Sequence, residues 1–247
     1  MDWKIIHIDE TDSTNRWLQQ HEEGSFGVNA DLHKKNRPLC VLADYQTAGK
    51  GCGTNSWESE RGKNLTFSLL IHPTEVPASR QFVISEWVSV ALCETLEHYI
   101  YNKVEIKWPN DIYVGDRKIA GILIENTLKG NHIKDSIIGI GLNVNQQEFL
   151  SDAPNPVSLC QLLGHEVDRM ELLTRFLQRK PLVSPAETDG FSYRNRIYRK
   201  GQLATYQDKD GRFKATIQDV EPDGHLLMMD EAGQERRYAF KEVTYIL

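Results

Sequence analysis

Three features of this 247-residue sequence predict an α+β fold followed by a short all-β tail. Apolar residues recur at helical spacing between Ser79 and Tyr101 (Phe82, Val83, Trp87, Val90, Ala91, Leu96), the pattern of one long core helix. Short runs of strand character follow one another from Val104 to Asn143. Beyond Gly201 the chain breaks into short apolar runs around Asp210-Gly211 and Asp223-Gly224, both hairpin signals.

Taken in order, Trp3 to Ile8 alternates as a strand, and Asp12 or Ser13 can cap a helix reaching about Glu23, its side-chain oxygen taking orphan backbone N–H groups. Cys40 to Tyr45 and Leu65 to Ile71 read as strands bracketing a glycine-rich segment, Gly49-Lys50-Gly51-Cys52-Gly53. After the long helix come strands over 104–107, 111–114, 117–126 and 136–143. The texture changes beyond Pro156. Leu159 to Leu163 and Arg169 to Leu177 look helical, 180–190 is a connection containing Pro, Ser and Asp, and the last forty-five or so residues read as a small β-barrel domain. The predicted division is 1–198 and 199–247.

Composition excludes more than it identifies. A net charge of -6 argues against a general nucleic-acid binder. No apolar run approaches a membrane span, the N-terminus has neither the charges nor the apolar core of a signal peptide, and cytoplasm is the expected compartment. Four cysteines at 40, 52, 93 and 160 are too scattered for a zinc site and too few for a disulfide scaffold. Three have aliphatic neighbours and read as buried free thiols, whereas Cys52 stands in the glycine-rich segment. The histidines show no metal-ligand spacing, and no metal-binding side chains are assigned.

The richest stretch runs from Lys107 to Glu125, KWPNDIYVGDRKIAGILIE. Pro109, Asn110 and Asp111 supply turn chemistry after a first strand, and Gly115-Asp116 is a tight connection into a third. Lys118 thus enters the sheet at a strand start, able to face a cleft, and Lys107 and Lys118 together could flank an anionic ligand. An ordinary surface hairpin with solvated lysines fits the spacing equally well. In the glycine-rich segment, glycines at 49, 51 and 53 would let backbone approach a phosphate closely, and a plain surface loop is the alternative. Gly49-Lys50-Gly51 is not a P-loop, which requires Ser or Thr directly after Gly-Lys.

KWPND followed by Lys118-x-x-Gly121-x-Leu123-x-Glu125 resembles the biotin protein ligase family, and three further stretches in the same order resemble its other motifs. These are Ser13-Thr14-Asn15, Tyr45-Gln46-Thr47-Ala48-Gly49-Lys50-Gly51 with Trp57 downstream, and Gly139-Ile140-Gly141-Leu142-Asn143-Val144-Asn145. The resemblance covers residues 13–145. It implies a catalytic domain like that of class II aminoacyl-tRNA synthetases, with a mixed sheet and helices, plus an SH3-like C-terminal module. It also implies biotin and MgATP as substrates, biotinyl-5'-AMP as intermediate, and a lysine of a biotin carboxyl carrier protein as acceptor.

By the same resemblance, Ser13, Thr14, Asn15, Gln46, Gly49 and Gly121 would contact biotin. Lys50 would meet phosphate and carboxylate, and Lys118 would be the principal catalytic cation between the biotin carboxylate and the α-phosphate. Lys107, Asn110 and Asp111 would shape the nucleotide and magnesium side, with Gly51, Trp57 and Asn143 also at the nucleotide. Activating a carboxylate with ATP brings two anions together, so fixed positive charge is what the chemistry needs. The anhydride product must also be shielded from water, which fits a loop that closes over ligand.

The sequence departs from the family where the loop usually reads Gly-Arg-Gly-Arg/Gln-Arg-Gly. Lys50 keeps a charge without the guanidinium fork, and Cys52 loses the next basic position, so activity is either reduced or supported by a cation from elsewhere. With Ser13-Thr14-Asn15 so early, a ligase without a DNA-binding module is expected, as monomer or homodimer. A lipoate or octanoate transferase of the same superfamily and a low-turnover biotin sensor are the alternatives.

Overall fold

The computed structural model describes residues 3–22, 37–51, 53, 55–150, 155–182, 184–188 and 190–246. Its main layer is a mixed sheet of seven strands. β1 (Lys4–Thr11) is parallel to β2 (Leu39–Gln46), and the remaining pairings are antiparallel through β3 (Leu65–Ile71), β4 (Val104–Lys107), β5 (Asp111–Val114), β6 (Arg117–Lys129) and β7 (His132–Leu142). The spatial order is β1-β2-β3-β7-β6-β5-β4.

Alternation along the strands divides the sheet into two unlike faces, because successive side chains point to opposite sides. One parity carries Cys40 and Leu42, then Leu65, Phe67 and Leu69, then Ile138, Ile140 and Leu142, all buried in the main core. α2 (Phe82–Leu96) closes this face with Val83, Ile84, Val88 and Leu92. The other parity holds only a small cluster, Val41, Leu70 and Ile137, beneath Leu18 of α1 (Thr14–Glu22). Burial alone pushes the Cys40 thiol up to about 12, and Cys93 and Cys160 are likewise buried free thiols. Cys52 lies outside the described residues.

The expected helix over 79–101 is shorter than its apolar period. A 3-10 turn at Ala78–Arg80 precedes α2, and after Leu96 the chain tightens through His98 N–H to Thr95 O and Tyr99 N–H to Leu96 O, bonds of 3-10 type. α3 (Leu159–Leu163) starts on a Ser158 capping box and stops at Gly164 with φ 78°, while α4 (Arg169–Leu177) is capped by the Asp168 carboxylate. α5 (Phe191–Asn195) lies beyond the expected connection, and five residues are too few to show a helical period.

The C-terminal strands β8 (Leu203–Asp208), β9 (Gly211–Val220), β10 (Leu226–Asp230), β11 (Glu235–Tyr238) and β12 (Thr244–Tyr245) form an antiparallel sheet in the order β11-β10-β9-β8-β12. Strand pairing does not close the expected barrel among the described residues. β12 has only two residues and pairs with β8 alone, leaving β11 and β12 as opposite edges. The segment leading into this sheet pairs with the free edge of β4. Ile106 donates to Arg196 O at 2.7 Å and accepts from Tyr198 N–H at 2.9 Å, and Tyr113, Tyr198, Tyr206 and Tyr245 continue the core across the junction.

Candidate active site

Strand register builds the site on the sheet face that α2 does not cover. One cross-strand row reads Ala43, Thr66, Gly141, Gly121, Asp111 and Lys107; the next reads Val41, Ser68, Gly139 and Leu123. Three glycines at the middle of these rows leave a floor of bare backbone. The floor is used: a Cβ on Gly141 would run into the Trp57 indole, and one on Gly139 would collide with the Asn15 amide. Side-chain-free strand positions of this kind mark close approach by another group.

Lys118 reaches this face through a bulge. Tyr113 pairs with Lys118 while Ile112 pairs with Ala120, so one extra residue, Ile119, enters β6. Without it Lys118 would have the opposite parity to Gly121 and point into the core. With it the ammonium sits 2.7 Å from Asp111 Oδ1 and 5.7 Å from the centre of the Trp57 ring. A surface hairpin with solvated lysines is thereby excluded. Lys118 also holds the segment at 155–157, donating its N–H to Asn155 O and accepting from Val157 N–H.

Four further groups fix the turn between β4 and β5. Trp108-Pro109 is a cis peptide bond, Tyr193 of α5 donates to Pro109 O at 2.8 Å, Trp108 Nε1 donates to Gly224 O at 2.9 Å, and the Asn110 amide donates to Ile122 O. Lys107 is caged by aromatic rings, 5.2 Å from Tyr113 and 5.1 Å from Tyr245. Burial holds its pKa below the ordinary lysine range, with Lys118 and Arg199 adding repulsion and Asp111 opposing them. Asn143 donates to Val157 O at 3.1 Å, so it pins the segment that Lys118 also holds.

At the other end a polar chain crosses from β2 to β6. Gln46 Oε1 accepts from Thr14 N–H (2.8 Å) and Thr14 Oγ1–H (3.1 Å), which satisfies an orphan donor at the start of α1. Ser68 Oγ is 2.6 Å from both Thr14 Oγ1 and Asn15 Oδ1, and Asn15 Nδ2 donates to Glu125 Oε2 at 2.7 Å. Ser13, Thr14 and Asn15 are each only 3% exposed, and the Ser13 carbonyl opens the helix by accepting from Trp17 N–H. Cap and pocket wall are therefore the same residues.

The glycine-rich segment forms a short hairpin rather than a strand-to-helix loop, with Lys50 bridging Ser56, Gly51 N–H on Asn55 O and Trp57 N–H on Gly49 O. Gly49 is small because a Cβ there would stand 2.5 Å from the Trp57 carbonyl. Its two arms carry Trp57 onto the glycine floor, where the buried Nε1 has no hydrogen-bond partner among the described residues. Ser13, Thr14, Asn15, Gln46, Lys50, Gly51, Trp57, Lys107, Asn110, Asp111, Lys118, Gly121 and Asn143 all line one cavity of about 860 Å³. Gly49 is buried behind it.

Sequence reasoning assigned nothing to Ser68, Glu125, Gly139, Gly141, Phe240, Lys241 or Tyr245, which also belong to this site or its supports. Glu125 and both β7 glycines stood inside recognised motifs, so their spacing was a usable signal. Nothing near Lys241 pointed to the cavity.

A model of the biotin/lipoate A/B protein ligase family matches residues 11–143. The chain belongs to this family. That range contains the STN triplet, the glycine-rich hairpin, the KWPND turn, Lys118 and the glycine floor, and it stops at Asn143. Among curated relatives of this ligase-family chain, the bifunctional ligase/repressor BirA of Bacillus subtilis is 34% identical over 154 residues, 60% of this chain and 46% of that protein. The biotin–[acetyl-CoA-carboxylase] ligase of Paracoccus denitrificans is 28% identical over 214 residues, 79% of this chain and 85% of its own length. The chain spans about half the length of the BirA proteins it matches. Among solved structures, the biotin protein ligase from Aquifex aeolicus in complex with biotin and ATP superimposes with a TM-score of 0.75 at 25% identity, covering 98% of this chain and 97% of that one.

Proposed function

We propose that this family member is a biotin protein ligase, joining biotin to ATP as biotinyl-5'-AMP and passing the biotinyl group to a lysine of a biotin carboxyl carrier protein. The observation that carries the reading is the position of Lys118. A bulge turns it onto the glycine floor, in the cavity that Thr14, Asn15 and Gln46 of the polar end and Lys50 of the hairpin also line. The polar end supplies donors and acceptors for a ureido ring, and Gly121, Gly139 and Gly141 let Trp57, Lys118 and Asn15 lie close against backbone at the cavity wall.

In the first step a carboxylate oxygen of biotin bonds to the α-phosphorus of ATP and the bond to the β-phosphate oxygen breaks, releasing pyrophosphate. Asp111 holds the Lys118 ammonium until the ligands arrive, after which Lys118 neutralises charge shared by carboxylate and α-phosphate. Lys50 meets the phosphates from the hairpin, and Lys107, Asn110, Gly51 and Asn143 shape the nucleotide side. Asp111 and Glu58 are cavity carboxylates. That donor set fits Mg²⁺, which binds through one or two carboxylates plus substrate phosphates and would supply charge neutralisation there. In the second step the acceptor amine attacks the acyl carbon and AMP leaves. The buried thiols and acidic balance support a cytoplasmic setting. The division at 198/199 is supported by the change from β4-edge pairing to the separate β8–β12 sheet.

The test is transfer of label to a biotin carrier domain with biotin and MgATP, beside parallel reactions with octanoate and lipoate. Labelling from biotin alone is expected. Labelling only from octanoate or lipoate would give the chain to the other branch of the family, and tight biotin binding without transfer would make it a sensor.

A further inference from the structure

Between Gln46 and Glu60 the chain has one basic side chain, Lys50. A nucleoside triphosphate brings several negative charges to that hairpin, more than one exposed ammonium neutralises. A second cation stands there, from the far end of the chain. Lys241 lines the same cavity as Lys50, Lys107 and Lys118, and its ammonium lies against Gly53, where a Cβ would collide with it. Among the described residues no ion pair involves Lys241, whereas Asp111 already engages Lys118.

The backbone at Lys241 is held in an unusual conformation. Its φ is 70°, left-handed space that a lysine rarely adopts, and the turn around it is fixed by Glu242 N–H to Ala239 O (3.1 Å) and Ala239 N–H to a Glu242 carboxylate oxygen (2.7 Å). Glycine would suit that φ better than lysine. Phe240, packed edge-on against Trp108 with the Lys241 ammonium 5.6 Å from its ring, ties this turn to the KWPND segment.

We propose that Lys241 is a triphosphate-binding residue, the second cation of the glycine-rich hairpin, supplied by the C-terminal sheet. The inference rests on the adenylating activity proposed above. It makes docking of the C-terminal sheet part of the nucleotide site, so that the hairpin's phosphate affinity depends on residues nearly two hundred positions away in sequence.

The experiment titrates MgATP, with and without biotin, into the full chain and its Lys241→Ala, Lys241→Gly and Lys241→Arg variants, following binding heat, thermal midpoint and biotin-dependent ATP–pyrophosphate exchange. Loss of one screened charge contact predicts MgATP affinity about tenfold weaker in Lys241→Ala and Lys241→Gly, with a shallower salt dependence. Biotin affinity should be unchanged, and Lys241→Arg should bind within about twofold of the native chain. Lys241→Gly separates binding from folding, because it relaxes the positive φ and should melt no lower than the native protein. Native MgATP affinity in Lys241→Gly would overturn the inference. Lys241-dependent MgATP binding without any biotin-dependent exchange would uphold it while removing the ligase reading, and absence of MgATP binding by the native chain would overturn both.

Discussion

The two faces of the seven-stranded sheet share the same backbone and have opposite chemistry. On β3 and β7 one parity reads Leu65, Phe67, Leu69 with Ile138, Ile140, Leu142, and the other reads Thr66, Ser68 with Gly139, Gly141. The first set is sealed in the core with α2, whereas in the second Gly139 and Gly141 line the cavity and Thr66 and Ser68 are buried polar groups beside it. Because a strand side-chain period is two, stability and chemistry can vary independently at adjacent residues. Lys118 is the informative exception, since it reaches the open face only by the added residue in β6. The contrast predicts that substitutions one residue apart fail in different ways.

The largest effect should come from Lys118→Ala. Removing the cation that meets developing charge is expected to lower biotin-dependent ATP–pyrophosphate exchange on the order of 10³-fold, about 4 kcal/mol of barrier, with little change in thermal midpoint. An exchange rate within tenfold of native would place the reacting carboxylate elsewhere. Phe67→Ala is the counterpart on the sealed face. Phe67 is 1% exposed and packs edge-on to Phe176 with centroids 5.6 Å apart, so truncation should cost about 3–5 kcal/mol of stability in urea unfolding. Below its melting range the variant should keep native KM values for biotin and ATP. A changed KM would mean that the two faces are mechanically coupled.

Gly141→Ala tests the open face without removing any functional group. The added methyl would overlap the Trp57 indole, so either the indole moves or the strand does. We expect biotin binding weakened by about tenfold to a hundredfold and a shifted Trp emission maximum, against a stability loss of about 1–3 kcal/mol typical of overpacking. Unaltered emission together with native affinity would show that Trp57 does not rest on the floor in solution.

Much of this division could be read before any coordinates. The strands at 65–71, 104–107 and 111–114 and the helices at 159–163 and 169–177 stand where apolar period and turn residues placed them, and all the named cavity residues except Gly49 meet at one site. What was not legible has physical causes. A bulge adds a residue without a composition signal, so the facing of Lys118 depended on register that only the β5–β6 ladder reveals. α5 is too short to be periodic, yet its Tyr193 supports Pro109. Ser68 stands in a largely apolar strand, and its partner Asn15 is fifty-three residues away in sequence, so no local pattern links the two. The expected C-terminal β module is present as a five-stranded antiparallel sheet, though its strand order could not be read from β-strand content, which does not say which edges pair.

Ser68 and Glu125 should give intermediate effects. Ser68 has one proton for two acceptors, Thr14 Oγ1 and Asn15 Oδ1, and Glu125 fixes the other end of the Asn15 amide. Ser68→Ala and Glu125→Gln are each expected to raise KM for biotin about fivefold to twentyfold, roughly 1–2 kcal/mol, with kcat and KM for ATP nearly unchanged. If KM for ATP rose instead, the polar end would belong to the nucleotide and the orientation of the site would have to be reversed.

The smallest effect, and the sharpest on what each face does, is the pH response of Lys107. Burial lowers its pKa from the ordinary 10.5, so in the native chain it sheds its proton at lower pH than in the unfolded chain. Between those two values the unfolded state binds more protons, and the Lys107 contribution to stability therefore rises with pH. Affinity for a polyphosphate should move the other way, because the charge that attracts it is being lost. Tyr113 and Tyr245, which face Lys107, have pKa values raised by burial and contribute stability that is lost as pH climbs above the ordinary tyrosine value of 10.0. The quantity to measure is thus the difference between native chain and Lys107→Met, in which the tyrosine contribution is common to both. We expect the difference in MgATP affinity, less than tenfold at neutral pH, to shrink as pH approaches 10, while the stability difference shifts in favour of the native chain over the same range. Parallel movement of the two curves would assign Lys107 to the fold, and opposed movement to the nucleotide.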